Sequence, residues 1–276
     1  MYDLILVRRR RRRKIAALVA LFSSIGVSSL VTISFLGQYT GTFTISLTNS
    51  SVRLSLSDKV AFTNPTSYLR IEKLDDFEEG SYYTVLQDKL DDEEKPYDYG
   101  NEISQEFGTK VLKYFKYTFY VGNMGSKAAR YNLKINLVDR TKSSDGTDRT
   151  LDDTLRVMVY ENDIDDTDGK GVHTEKVYAK ERARGSVKDK EGHDTTREFI
   201  ATPSFEEDED HPLAESFEDY NVVKTYKRGA FYPNQICRYT IVMWLEGDDP
   251  DSDGKLLHPE GATLKLGVEI TAYENE

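Results

Sequence analysis

RYNLKINLVD, Arg130 to Asp139, sets Tyr131, Leu133, Ile135 and Leu137 against Asn132, Lys134 and Asn136. Successive side chains of an extended chain point to opposite faces, so strict alternation gives one apolar and one polar face. The stretch therefore reads as a half-buried strand, and the same period recurs on both sides of it. Upstream, VLKYFKYTFYV carries Val111, Phe115, Tyr117, Phe119 and Val121 on one face, interrupted by Lys113. FTISL (43–47) and VRLSL (52–56) alternate around the turn-like Thr48-Asn49-Ser50-Ser51. Downstream, LRVMVY aligns Leu155, Val157 and Val159, and RYTIVMWLE aligns Tyr239, Ile241, Met243 and Leu245. TLKLGVEITAY aligns Leu264, Leu266, Val268, Ile270 and Ala272, and EKVYAK, REFIAT and NVVKTYK are shorter candidates.

Strands with one apolar face predict an all-β domain over 37–276, an antiparallel sandwich. Polar, acid-rich loops separate the strands at 88–101, 141–149, 163–171, 183–196 and 206–212. YVGNMGSKAARY reads as a hairpin connection through Gly122 and Gly125, and SYYTVLQDKL as a short helix. Neither an internal repeat nor a Pro-rich linker divides the body, so one domain is expected.

The N-terminus differs in kind. Arg8, Arg9, Arg10, Arg11, Arg12, Arg13 and Lys14 form a basic head over 1–14 with Asp3 as its single acid. The whole chain has 37 basic and 48 acidic residues, a net charge of −11, so the body beyond the head stands near −17. A body that acidic repels phosphate backbones, which argues against a nucleic-acid partner. IAALVALFSSIGVSSLVTISFL, 15–36, has no charge and spans roughly 33 Å as a helix, enough for a bilayer core. Arginines directly before it predict a cytoplasmic N-terminus and an extracellular body, in a single-pass arrangement at the cell membrane. The alternative is a cleaved signal peptide, with 15–26 as its apolar region and Val27-Ser28-Ser29 as the cleavage site; LVTISFLG would then head the mature chain. Both readings export the body. One cysteine, Cys237, excludes an intramolecular disulfide, which fits an outer bacterial surface better than a eukaryotic exported domain of this size. Within ICRYTIVMW it reads as a small buried hydrophobe.

In order and texture, Tyr39 to Glu276 resembles the TasA/camelysin-like exported bacterial proteins. The resemblance rests on the basic head and apolar segment, then YTGTFTISL, YTFYVGNMGSKAARYNLKI, LDDTLRVMVY and YTIVMWLEGDDPD…LKLGVEITAYE. It implies a jelly-roll-like sandwich, a place at the cell surface or in the biofilm matrix, and fibre assembly by strand exchange, with Tyr39 to Leu47 as the donated strand. Some camelysin-like proteins have been called metallopeptidases. The residues give that chemistry little to use. His173, His193, His211 and His258 are scattered through polar loops, without the i, i+4 pair of a zinc protease helix. Gly-x-Ser-x-Gly and phosphate-binding glycine loops are absent from the sequence.

One loop has ligand spacing. In GDDPDSDGKLLHPEG, Asp249, Asp251 and Asp253 fall at positions 1, 3 and 5 of a twelve-residue calcium loop, Gly254 at 6, the Lys255 carbonyl at 7 and Glu260 at 12. Four carboxylates so close favour a divalent cation, calcium. Strand-like flanks and Pro250 and Pro259 favour an acid-rich turn instead, and both readings stand. DIDDTDG (163–169) fails the same spacing because Ile164 takes the first ligand position. Trp244, on the strand face opposite Tyr239, Ile241 and Met243, reads either as an exposed platform for stacking a sugar or as packed under a loop. The expected function is a non-catalytic, membrane-anchored surface protein with a structural, adhesive or matrix-assembly role. The alternative is an extracellular module that binds carbohydrate or acts through calcium, and a metallopeptidase is the third reading.

Overall fold

The alternating stretches of sequence become strands. The computed structural model describes residues 44–48, 53–70, 80, 82, 97–98, 101–103, 110–112, 114–142, 150–164, 171–183, 185–201, 204–247, 249 and 263–274. The chain divides into two compact units, Met1–Thr40 and Gly41–Glu276, and all described residues belong to the second. The head 1–14, the apolar segment 15–36 and, apart from Tyr82, the expected helix 81–90 lie outside the described residues. Among the described residues no helix is long and apolar enough to cross a membrane.

The strands are β1 (Thr44–Thr48), β2 (Leu54–Ser57), β3 (Tyr68–Arg70), β4 (Tyr97–Asp98), β5 (Asn101–Ile103), β6 (Lys110–Leu112), β7 (Phe115–Asn123) and β8 (Ala129–Thr141). They continue with β9 (Leu155–Asp163), β10 (His173–Ala179), β11 (Val187–Lys188), β12 (Asp194–Thr195), β13 (Glu215–Ser216), β14 (Val222–Phe231), β15 (Ile236–Leu245) and β16 (Thr263–Glu274). REFIAT contributes only an isolated bridge, Phe199 to Leu213.

Among the described residues, one sheet has five strands in the order β14-β8-β16-β1-β3. A second has the order β13-β10-β9-β15-β7-β2, with β4 also on β7. Most neighbours are antiparallel as expected, but β1 runs parallel to β16 and β10 parallel to β13. The core lies between the two sheets. Tyr131, Leu133, Ile135, Val268 and Ile270 come from one side, and Phe119, Val157, Tyr239 and Ile241 from the other. The molecule is thus an all-β, sandwich-like protein whose alternating faces meet as their period predicts.

Two differences from the sequence reading position the rest. The Gly122–Gly125 connection is no hairpin, because β7 and β8 belong to different sheets. Asn123 builds the corner: its Nδ2 donates to the carbonyls of Lys127 (2.9 Å) and Phe231 (2.8 Å), while its Oδ1 accepts from the Gly125 N–H (3.0 Å). A Cβ at Gly122 would stand 2.6 Å from Met124 Cε and 2.7 Å from the Phe62 ring, so any larger residue there has to displace both side chains. The second difference is burial on both faces. β7 is buried at every position, including Lys116, Thr118 and Tyr120. Outside the main core, Tyr114, Met158, Val177, Val242 and Trp244 form a second apolar layer with Ala214, against which Tyr82 and Ile200 pack. Residues on either side of the expected acidic loop 206–212, Ile200 and Ala214, thus help cover the larger sheet.

Candidate functional site

Trp244 belongs to that second layer and has 0% exposure. Its Nε1 donates to Glu246 Oε2 (2.8 Å) and its ring stacks on Tyr82 at 6.0 Å between centroids. The stacking-platform reading is corrected: a ring covered on its outer face meets no ligand from solvent, and of the two alternatives the packed one is observed.

The predicted calcium loop begins beside this layer. Asp249 is buried, and its Oδ2 accepts from Arg156 Nη2 at 2.7 Å. Arg156, itself 1% exposed, also donates through Nε to the Phe199 carbonyl (2.9 Å) and lies 3.9 Å from Glu198, which in turn pairs with Arg182 (3.1 Å). A buried guanidinium thus ties three segments together: β9, the cover at 198–199, and the start of the loop after β15. The carboxylate at loop position 1 faces this guanidinium. Asp251, Asp253, Lys255 and Glu260 lie outside the described residues.

Between the sheets lies a polar network that the sequence reading did not single out. Tyr131 and Tyr239 share a hydrogen bond (2.8 Å), and the Tyr239 hydroxyl donates to Glu161 Oε1 (2.8 Å). Arg228 of β14 reaches Asp163 through Nη2 and stands 3.7 Å from Glu161. Burial pushes the Glu161 carboxyl above its ordinary value, more than the Tyr239 hydrogen bond and the Arg228 charge pull it down. Cys237 is free and buried among these groups, where desolvation and then the Glu161 charge push its thiol up. A thiol kept protonated is a poor nucleophile, so Cys237 packs as the small hydrophobe expected. At the edge of the sandwich, Asp152 is fully buried between Arg140 and Lys180. Burial raises its carboxyl, but the Thr150 hydroxyl and the two cations outweigh that and leave it below the ordinary value.

Among the described residues, one grouping of His, Cys, Asp or Glu has metal-ligand spacing: Asp189, Glu191 and His193, with ligand atoms within 4.8 Å of one another. Asp189 Oδ1 accepts from the backbone N–H groups of Glu191 (3.0 Å) and His193 (2.7 Å), closing the β11–β12 turn around Gly192, whose φ is 81°. Turn geometry alone accounts for this arrangement. His173 and His193 are exposed, His211 pairs with Asp208 (2.9 Å), and His258 lies outside the described residues.

The five-stranded sheet also has an outward face. On the outward side of the five-stranded sheet, Thr225, Lys134 and Glu269 lie opposite one another across β14, β8 and β16. The next rows are Lys227, Asn132 and Thr271, then Arg130 and Tyr273. The alternation of RYNLKINLVD already marked Asn132 and Lys134 as outward. What sequence could not show is that the outward face of the larger sheet is covered by a second apolar layer. No family model, curated protein or solved structure matches the chain.

Proposed function

We propose that the chain is a non-catalytic, membrane-anchored protein of the bacterial cell surface, whose jelly-roll-like sandwich has a structural, adhesive or matrix-assembly role. The observation that carries this reading is the place of β1. It begins at Thr44, with seven residues between it and the apolar segment 15–36, and lies between β16 and β3 inside its sheet. β1 is held from both sides, by β16 in parallel register and by β3 in antiparallel register, so the chain is tied into the sheet at its first described strand. Buried acids support the same role. Asp152, Glu161, Glu198 and Asp249 face cations or hydroxyls of their own chain, which stiffens a body. The resemblance to TasA/camelysin-like proteins adds the surface location, and the basic head sets the topology.

The test uses a surface cysteine, because Cys237 is buried and silent to a thiol reagent. The full chain carrying Lys190→Cys, in the exposed β11–β12 turn, is treated on intact bacteria with a membrane-impermeant maleimide. Labelling of intact cells, with the chain retained in the membrane fraction, is expected. Labelling only after lysis would overturn the topology, and a labelled chain released to the medium would establish the cleaved-signal alternative.

A further inference from the structure

Four tyrosines meet between the sheets: Tyr131 of β8, Tyr178 of β10, Tyr226 of β14 and Tyr239 of β15. The Tyr226 hydroxyl donates to the Tyr178 hydroxyl (3.0 Å), and the Tyr226 ring meets the Tyr239 ring edge-on at 6.3 Å between centroids. Tyr239 in turn shares its 2.8 Å hydrogen bond with Tyr131 and donates to Glu161 Oε1 at 2.8 Å. A hydroxyl has one proton to give, so Tyr131 is the donor to Tyr239. Tyr239 and Glu161 are 0% and 6% exposed, whereas Tyr226 is only partly buried.

Where each phenolic proton points decides which ring gives up an electron most readily. A phenol that loses an electron becomes a strong acid, and the loss is eased when a base stands ready for the proton. Tyr131 and Tyr226 donate to other phenol oxygens, which are poor bases. Among the described contacts of these four residues, only the Tyr239 proton is aimed at a carboxylate, and 2.8 Å is within the range for direct transfer. Burial makes that carboxylate more basic than usual, because the neutral acid formed by the transfer is the form an apolar site favours.

We infer that Tyr239 and Glu161 form a proton-coupled electron-donor site, at which an outer-sphere one-electron oxidant in solution draws an electron from Tyr239 while the phenolic proton crosses to Glu161 Oε1. The Tyr239 O–H bond breaks and an O–H bond forms on Glu161. The oxidant gains one electron, and a neutral phenoxyl and a neutral carboxylic acid remain. Return of electron and proton restores the pair. Tyr226, edge-on to Tyr239 and partly exposed, is the relay to solvent. The site goes beyond the surface reading and does not depend on it.

The test oxidises the full chain in detergent micelles with photogenerated ruthenium(III) tris-bipyridine and follows the phenoxyl by transient absorption and electron paramagnetic resonance. Phenoxyls formed at exposed rings such as Tyr232 meet one another and decay, so the readout is the persistent signal. It should be lost from Tyr239→Phe and kept in Tyr232→Phe. The isosteric Glu161→Gln should slow its formation about a hundredfold. Urea unfolding checks that each variant is folded, and Glu161→Gln carries the test alone if Tyr239→Phe is not.

The groups around Glu161 are Asp163 on its own strand, Arg228 and Tyr226 of β14, Tyr131 of β8, Tyr178 of β10, and Tyr239 and Cys237 of β15. Wild-type yield should fall as pH drops through the titration of Glu161, since a protonated carboxyl accepts no proton, and Glu161→Gln should show no such fall. A wild type without a persistent signal, or a signal kept in Tyr239→Phe, overturns the site. Equal rates in wild type and Glu161→Gln at every pH overturn it as well.

Discussion

Glu161 shows what one residue contributes to this fold and how far sequence reveals it. Continuing the alternation of LRVMVYEND past Tyr160 places Glu161 and Asp163 on the inward face with Val157 and Val159. That two acids point inward is therefore legible. What compensates them is not, because Arg228 lies 65 residues from Asp163 and Tyr239 lies 78 from Glu161. The cost of burial sets the sign of the pH effect. A carboxyl held above its ordinary 4.5 adds stability below that value and loses it as pH rises through the folded value. Subtracting the stability of Glu161→Gln from that of wild type should thus give a curve that falls as pH rises above about 4.5. A flat or rising difference, measured by urea unfolding at successive pH values, would contradict the network. Asp152 has the opposite sign: held below its ordinary value, it loses its contribution as pH falls through the folded one.

Among elements, the strands were legible and their partners were not. Period-two alternation found β7, β8, β9, β15 and β16 because one face of each meets the core. The turn between β7 and β8 misled because Gly and Asn suit a hairpin and a sheet-to-sheet corner equally well. The cover at 182–214 was hidden for another reason. Its acids and glycines look like loop, REFIAT reads as a strand but makes only an isolated bridge, and the packing depends on a few apolar residues, Phe199, Ile200, Leu213 and Ala214. Arg156 holds that cover to β9 and to Asp249. Arg156→Ala would take from the buried Asp249 the guanidinium it faces and leave Glu198 to Arg182 alone, a loss of about 3–5 kcal/mol. Trp244 is the single tryptophan and lies beneath the cover, so its emission should shift to the red as the cover loosens, before the core unfolds. Emission unchanged until global unfolding would show that the cover holds without Arg156.

At the scale of the whole molecule, two features act together: an uncharged segment behind seven cations, and a sheet whose first described strand follows that segment closely. The account holds that the segment keeps the body at a membrane and that bodies associate there. Electron microscopy of proteoliposomes carrying the full chain at increasing density tests both at once. Bodies standing on the bilayer and joining one another as density rises is the predicted result. A chain that stays off the liposomes, or bodies that remain isolated at every density, would contradict the account.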